Sequence, residues 1–216
     1  GYRALKLRIG DGVANDRARI EAVRARLGDE VEILVDANTA YTLADVEAIA
    51  PVLEACRVAW LEEPFPAHAW RDYQAAARLT SVPLAAGENH YTRFDFERAL
   101  SDGAIRVWQP DLSKTGGLTE ALRIASLAAG AGIVIHPHTS VTGLNMAASL
   151  HFLSCIDNGG YYEADVTAYN PFRDRLTRGL APLDARGTMH APDGVGCGIE
   201  LDEALLAASQ AIAGPG

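Results

Sequence analysis

Lysine is nearly absent from this chain: 216 residues contain only Lys6 and Lys114, and the formal net charge is −9. A nucleic-acid-binding surface needs clustered basic residues against phosphate, so the composition argues against a nucleic-acid partner. Long apolar runs are also missing. No stretch approaches the roughly 18 residues of a membrane helix, and no basic segment opens the chain, so neither a membrane partner nor a secretory leader is expected. Cysteine is scarce and scattered at Cys56, Cys155 and Cys197. That is neither an even disulfide set nor a zinc pattern, and it points to a reducing, cytoplasmic setting. What is present suffices for a core: 49% hydrophobic and 22% charged residues describe one or at most two globular domains. The chain opens at Gly1 rather than Met, and it reads as a piece of something longer.

Short apolar, β-branched runs alternate with longer amphipathic stretches. Strands are expected at 4–9, 31–36, 58–61, 83–86, 105–108, 133–136 and 160–163. Helices are expected at 15–27, 42–56, 69–79, 93–100, 118–129 and 142–156. In the first of these Ile20, Val23 and Leu27 share a face, and in the second Val46, Ile49 and Leu53 do. Asp16, Thr42 and Asp72 stand where N-caps or first-turn acids belong, and Gly28 and Gly130 where C-caps belong.

Seven such alternations indicate a parallel α/β architecture, either an open doubly wound sheet or a closed (β/α) barrel. No GxGxxG follows the first strand, and the stretch 113–117 lacks the upstream glycine of a P-loop. Polar residues at nearly every strand end favour the barrel, in which those ends converge on one mouth. They are Lys6, Arg8, Asp36, Asn38, Glu62, Glu63, Glu88, Asp111, His138 and Glu163. A full barrel takes eight strands and about 250 residues, so this chain is one strand short. Residues 1–190 are assigned to the barrel and 191–216 to an extended C-terminal segment and tail.

Asp36, Glu62 and Glu88 follow three successive strands in EILVDAN, AWLEEP and PLAAGEN. Converging carboxylates repel and raise each other's pKa unless a cation intervenes. An all-oxygen set suits Mg²⁺ better than zinc. The plainer alternative is that each acid caps a helix N-terminus. Glu62 and Glu63 are adjacent, so in a strand they point to opposite faces and only one can be a ligand.

The ordered set KLR at 6–8, VDANTAY at 35–41, WLEEP at 60–64, GEN at 87–89, QPDLSKTGG at 109–117 and HPH at 136–138 resembles the enolase superfamily. Within it the set is most similar to the mandelate racemase and acid-sugar dehydratase subgroup. The resemblance implies a TIM-type barrel lacking its first strand and an N-terminal capping domain. It also implies Mg²⁺ as cofactor, with Asp36, Glu62 and Glu88 as ligands, and a homo-oligomer acting on a small-molecule carboxylate.

A carboxylate bonded to one imidazole nitrogen fixes the tautomer and makes the other nitrogen a better base. The resemblance implies such a dyad between Asp111 and His138, with His136 and His151 left as structural residues. His90, after GEN, is a candidate for the pocket wall, and Asn38 for substrate contact. Family members that attack from the opposite face carry Lys-x-Lys, whereas this chain reads Lys6-Leu7-Arg8. Arginine stays protonated and is a poor base, although it can clamp a carboxylate. Lys6 is therefore expected as an electrostatic partner of the substrate or of Glu62, and Arg8 as a substrate clamp or a surface salt-bridging residue. Lys114 is either a loop lysine or a residue of the mouth. Glu163 matches the family position that hydrogen-bonds the substrate carboxylate.

With one base, the expected reaction is abstraction of the proton α to a carboxylate and β-elimination of water from an acid sugar, giving a 2-keto-3-deoxy acid. Racemisation, epimerisation or cycloisomerisation through the same enediolate is the alternative. A truncated, noncatalytic barrel is the alternative of another class. The particular substrate is not legible.

Overall fold

A computed structural model describes residues 1–139, 142–180 and 182–213, with side chains through residue 208. Five parallel strands form its centre: β1 (Ala4–Arg8), β2 (Glu32–Asp36), β3 (Val58–Glu62), β4 (Leu84–Ala86) and β5 (Ile105–Trp108). They alternate with helices α1 (Val13–Leu27), α2 (Leu43–Ala55), α3 (Trp70–Ala76), α4 (Thr92–Asp102) and α5 (Gly117–Gly130). The spatial order β1-β2-β3-β4-β5 repeats the chain order. A doubly wound sheet reverses its order at a switch point, and none exists among these strands.

Local chemistry explains the elements. In β2 only Glu32 is exposed, and Ile33, Leu34, Val35 and Asp36 are buried, as expected for a strand covered on both faces. Helix α2 starts with a capping box: Thr42 Oγ1 accepts from the Asp45 backbone N–H, and Asp45 accepts from that of Thr42. Gly103 closes α4 in the left-handed conformation at φ 67°, where a Cβ would be strained. Fully buried Ile20, Ile33, Ile49, Leu53, Leu61 and Ile124 join the helices to one face of the sheet. Each such side chain contributes about 1.5–3 kcal/mol relative to exposure.

Two of the expected strands are not formed. The segments 133–136 and 160–163 shrink to isolated parallel bridges, in which Ile135 pairs with Trp108 and with Gly159. Pro137 has no N–H to continue a ladder. The Tyr161 N–H donates to Nδ1 of His136 rather than to a strand carbonyl. Gly160 lies so close to that imidazole that a Cβ would stand 2.3 Å from its Cε1.

Helix α6 (Gly143–Ser154) follows, then α7 (Pro171–Asp174), capped by Asn170, and β6 (Thr177–Arg178). Strand β6 pairs antiparallel with β7 (Glu200–Leu201), and helix α8 (Glu203–Ala213) comes after it. The segment 191–216, expected to be extended, therefore holds a strand and a helix within its described part. Gly130 also differs from expectation, being the last residue of α5 rather than its cap. No described helix is long and apolar enough to cross a membrane.

Candidate active site

Parallel pairing brings the polar strand ends into line. Arg8 is in register with Asp36, and Asp36 with Glu62. One strand further, Gly87 turns the chain so that Glu88 follows the end of β4. A Cβ on Gly87 would lie 2.5 Å from the Gln109 backbone, so only glycine permits this approach of β4 to β5.

Each acid carries its own cation. Glu62 is almost wholly buried, and its Oε1 accepts from Lys6 Nζ at 2.7 Å. Its Oε2 accepts from Gln109 Nε2 at 2.7 Å and Trp60 Nε1 at 3.2 Å. Asp36 pairs with Arg8 at 3.0 Å and accepts from the Asn38 N–H at 2.8 Å. Glu88 meets Lys114 Nζ at 3.3 Å and His138 Nε2 at 3.1 Å. Lys6 also bridges to Glu163 at 2.5 Å. Burial disfavours the Lys6 charge, but Glu62, Glu163 and Asp36 outweigh it and hold its pKa above the ordinary lysine value.

The imidazole of His138 lies across from these groups, with Nδ1 2.7 Å from Asp111 Oδ2. A carboxylate only accepts, so Nδ1 carries a proton, and Nε2 carries one as well while it faces Glu88. Burial lowers the pKa of His138, while Asp111, Glu88 and Glu163 raise it, and the net shift is upward. Asp111 is fully buried, and its Oδ1 accepts from the Ser113 N–H at 2.7 Å and from Asn145 Nδ2 at 2.8 Å. Glu163 is fixed by Thr139, whose N–H donates to its Oε2 at 3.2 Å.

These residues form three contact groups at the strand ends, Lys6–Glu62–Glu163, Arg8–Asp36 and Lys114–Glu88–His138–Asp111, which act on one another through their charges. Two expected site residues stand apart from them. The His90 ring is 2% exposed, packed against Trp70 and Phe96, and neither ring nitrogen has a hydrogen-bond partner. It belongs to the aromatic core behind the site and does not form a pocket wall, and desolvation takes its pKa down to about 4. Asn38 is exposed at φ 44° and acts on Asp36 through its backbone. His136 packs on Trp60 and Tyr161, as expected of a structural histidine.

Glu63 departs from simple strand alternation. Strand β3 ends at Glu62, and Glu63 has φ 35°. Both acids are buried, and Asn89 Nδ2 donates to Glu63 and to Glu88. Burial, reinforced by Glu88, pushes the Glu63 carboxyl up to about 7. Gln109, Asn89, Thr139 and Asn145 were not singled out from sequence. Gln109 carried a signal, standing two residues before Asp111 at the end of β5.

The acids suit a hard divalent cation by donor chemistry. Burial raises the pKa of Asp36 and of Glu62; Glu88 adds to the first and Asp36 to the second. A dication relieves such a conflict. Among the described residues, no three His, Cys, Asp or Glu side chains close into a metal-holding cluster, and each of the three acids faces a side-chain cation.

A cavity of about 890 Å³ opens beside β1, lined by Lys6, Trp60, Gln109, His136, Tyr162 and Glu163 among others. Gln109 Oε1 and Tyr162 OH are buried there without a hydrogen-bond partner.

Comparison with known proteins agrees with this geometry. The chain is 34% identical over 215 residues to D-galactarolactone cycloisomerase of Agrobacterium fabrum, covering 95% of this chain and 56% of that protein. It is 35% identical over 193 residues to D-galactonate dehydratase of Verminephrobacter eiseniae, covering 88% and 50%. The crystal structure of an enolase superfamily member from Polaromonas sp. JS666 superposes with a TM-score of 0.93 at 52% identity, over 96% of this chain and 55% of that one. A racemase from Streptomyces coelicolor A3(2), solved with bound magnesium, superposes with a TM-score of 0.84 at 28% identity, over 96% and 55%. The chain spans about half the length of the relatives it matches. The family described as enolase C-terminal domain-like matches residues 1–205, and the chain belongs to that family, within the enolase superfamily.

Proposed function

We propose that the natural protein containing this chain is a Mg²⁺-dependent acid-sugar dehydratase. The observation that carries the reading is an asymmetry of bases. His138 is the one imidazole among these groups, whereas on β1 Arg8 stays protonated and Lys6 is held charged by Glu62 and Glu163. One proton acceptor suits elimination; racemisation needs one on each side of the α-carbon.

Asp36, Glu62 and Glu88 would hold Mg²⁺, which supplies Lewis-acid polarisation of the substrate carboxylate. With Glu88 engaged as a metal ligand, His138 Nε2 would be released from it and would take the proton α to that carboxylate. Its electron pair moves into the C–C bond and expels the β-hydroxyl, which leaves as water with the proton from His138. The resulting enol tautomerises to the 2-keto-3-deoxy acid. Asp111 keeps Nδ1 protonated throughout. The Lys6 ammonium, steadied by Glu163, faces the negative charge that builds on the substrate oxygens. Arg8 and Lys114 present the remaining cations to substrate hydroxyls or carboxylate.

Keto-acid formation from a panel of acid sugars, followed by semicarbazide trapping in D₂O with NMR, tests the proposal. Product that disappears in His138→Asn is the expected result; α-deuterium exchange with inversion and no keto acid would replace dehydration by epimerisation. Cycloisomerisation is the second reading, favoured by the likeness to the A. fabrum enzyme, and it gives an isomer of unchanged mass. We further propose that the sheet closes into a barrel through a strand seated in the cavity beside β1. Exposed Phe94, Leu118, Leu122 and Leu144 support a homo-oligomer, to be measured by light scattering.

A further inference from the structure

We infer that Asn145, on α6, is a positioning residue that locks Asp111 and through it the tautomer of His138. The inference rests on the proton-abstraction reading above. Helix α6 begins where Thr142 Oγ1 accepts from the Asn145 N–H at 3.2 Å, which fixes Asn145 as the third helical residue. Side chains in a first turn lean back toward the helix N-terminus, and this one reaches the ends of the sheet. Asn145 Nδ2 donates to Asp111 Oδ1 at 2.8 Å and to Ser113 Oγ at 2.5 Å. Its Oδ1 accepts from Ser149 Oγ at 3.4 Å, one turn along the same helix.

The orientation of the amide follows from chemistry. Asp111 Oδ1 can only accept, so the NH₂ group must face it and the carbonyl must face Ser149. The Ser113 N–H donates to the same Oδ1 at 2.7 Å. Two donors on Oδ1 fix the plane of the carboxylate and leave Oδ2 turned to His138 Nδ1 at 2.7 Å. Asn145 and Asp111 are both buried, so water does not replace a lost donor at low cost. The chain Asn145–Asp111–His138 therefore extends the dyad by one residue. Outer partners of metal-bound imidazoles are typically worth roughly 10- to 100-fold in activity, and that scale is carried over to this carboxylate-held imidazole.

Nitrogen-15 NMR of the His138 ring in the Mg²⁺-loaded protein, assigned by its loss in His138→Asn, tests this directly. With Glu88 drawn to Mg²⁺ and away from Nε2, the unaltered protein is expected to show one neutral tautomer, with the proton on Nδ1. Asn145→Ala is expected to give mixed tautomers and a kcat lower by roughly 10- to 100-fold, with KM changed much less. In an Asp111→Asn background the same change is expected to add nothing, because both residues act through one link. An unchanged ring signal in folded Asn145→Ala, or additive losses in the double variant, overturns the inference. Asn145→Leu keeps the branched shape and removes the donor without adding a charge beside Asp111, and it gives the same readout if the alanine variant does not fold. If neither folds, fast exchange of the Asn145 side-chain amide protons in the unaltered protein overturns the inference and slow exchange supports it. A ring that responds in a protein making no keto acid would sink the dehydratase reading and leave the positioning role standing.

Discussion

Lys6 on β1 and Glu62 on β3 form a 2.7 Å ion pair that reaches across the intervening strand β2. The pair is unequal in exposure, with the lysine side chain 19% exposed and the glutamate 1%. Removing the cation leaves a charge in the interior, which costs far more than the pair contributes. Lys6→Met is expected to destabilise the fold by about 3 kcal/mol, and Lys6→Met/Glu62→Gln to recover much of that loss. Urea denaturation of the two variants gives both numbers.

Mg²⁺ should stabilise the protein, because it relieves the conflict among Asp36, Glu62 and Glu88. At a hundredfold excess over Kd the gain is about 2.7 kcal/mol. A thermal melt with and without Mg²⁺ measures it. Asp36→Asn, Glu62→Gln and Glu88→Gln should each remove the shift, and a shift that persists in all three would place the ion elsewhere.

Gly87→Ala should be among the most damaging single-methyl changes in the chain. The added Cβ meets Gln109 backbone atoms at 2.5 Å, and backbone cannot swing aside as a side chain can. A loss of about 3 kcal/mol, at the upper end for overpacking, is expected. Circular dichroism through a denaturant titration measures it.

Acid should weaken the fold through His136. Desolvation takes its pKa from the ordinary 6.5 down to about 4. Between those values the unfolded chain binds the proton and the folded chain does not, so stability falls as pH falls from 6.5 toward 4. At about 1.4 kcal/mol per unit of pKa difference the loss reaches about 3 kcal/mol. His136→Gln should flatten this part of the stability–pH curve, and an unchanged slope would assign the loss to other groups.

Much of this arrangement was legible because barrel-type folds place chemistry at strand ends. Once 31–36 and 58–61 read as parallel strands, Asp36 and Glu62 had to be neighbours, and their register confirms it. For Lys6 the sequence leaves two partners open, the substrate or Glu62, and the structure shows the ion pair with Glu62. Other features were out of reach because they depend on exceptions to periodicity. The positive φ of Glu63 breaks the alternation that would have turned it away from Glu62. The segments 133–136 and 160–163 have strand-like composition, yet Pro137 and the contact of Gly160 with His136 reduce their pairing to single bridges. His90 shows the limit of adjacency: standing two residues from Glu88, it turns into an aromatic box. Asn145 lies 34 residues from Asp111 in sequence, and no local pattern reports a contact that only α6 creates.

The thinning of the sheet at Ile135 divides the site by stiffness. Asp36, Glu62 and Glu88 stand at or just past the ends of strands paired over several residues, whereas His138 hangs three residues beyond Ile135, which is held by two isolated bridges. Amide hydrogens around the acids must wait for cooperative opening of several paired strands, while those around the imidazole can exchange through small local fluctuations. The half that would hold the cation is therefore the anvil, and the half that moves the proton is a short, separately sprung arm steadied by side chains of α6.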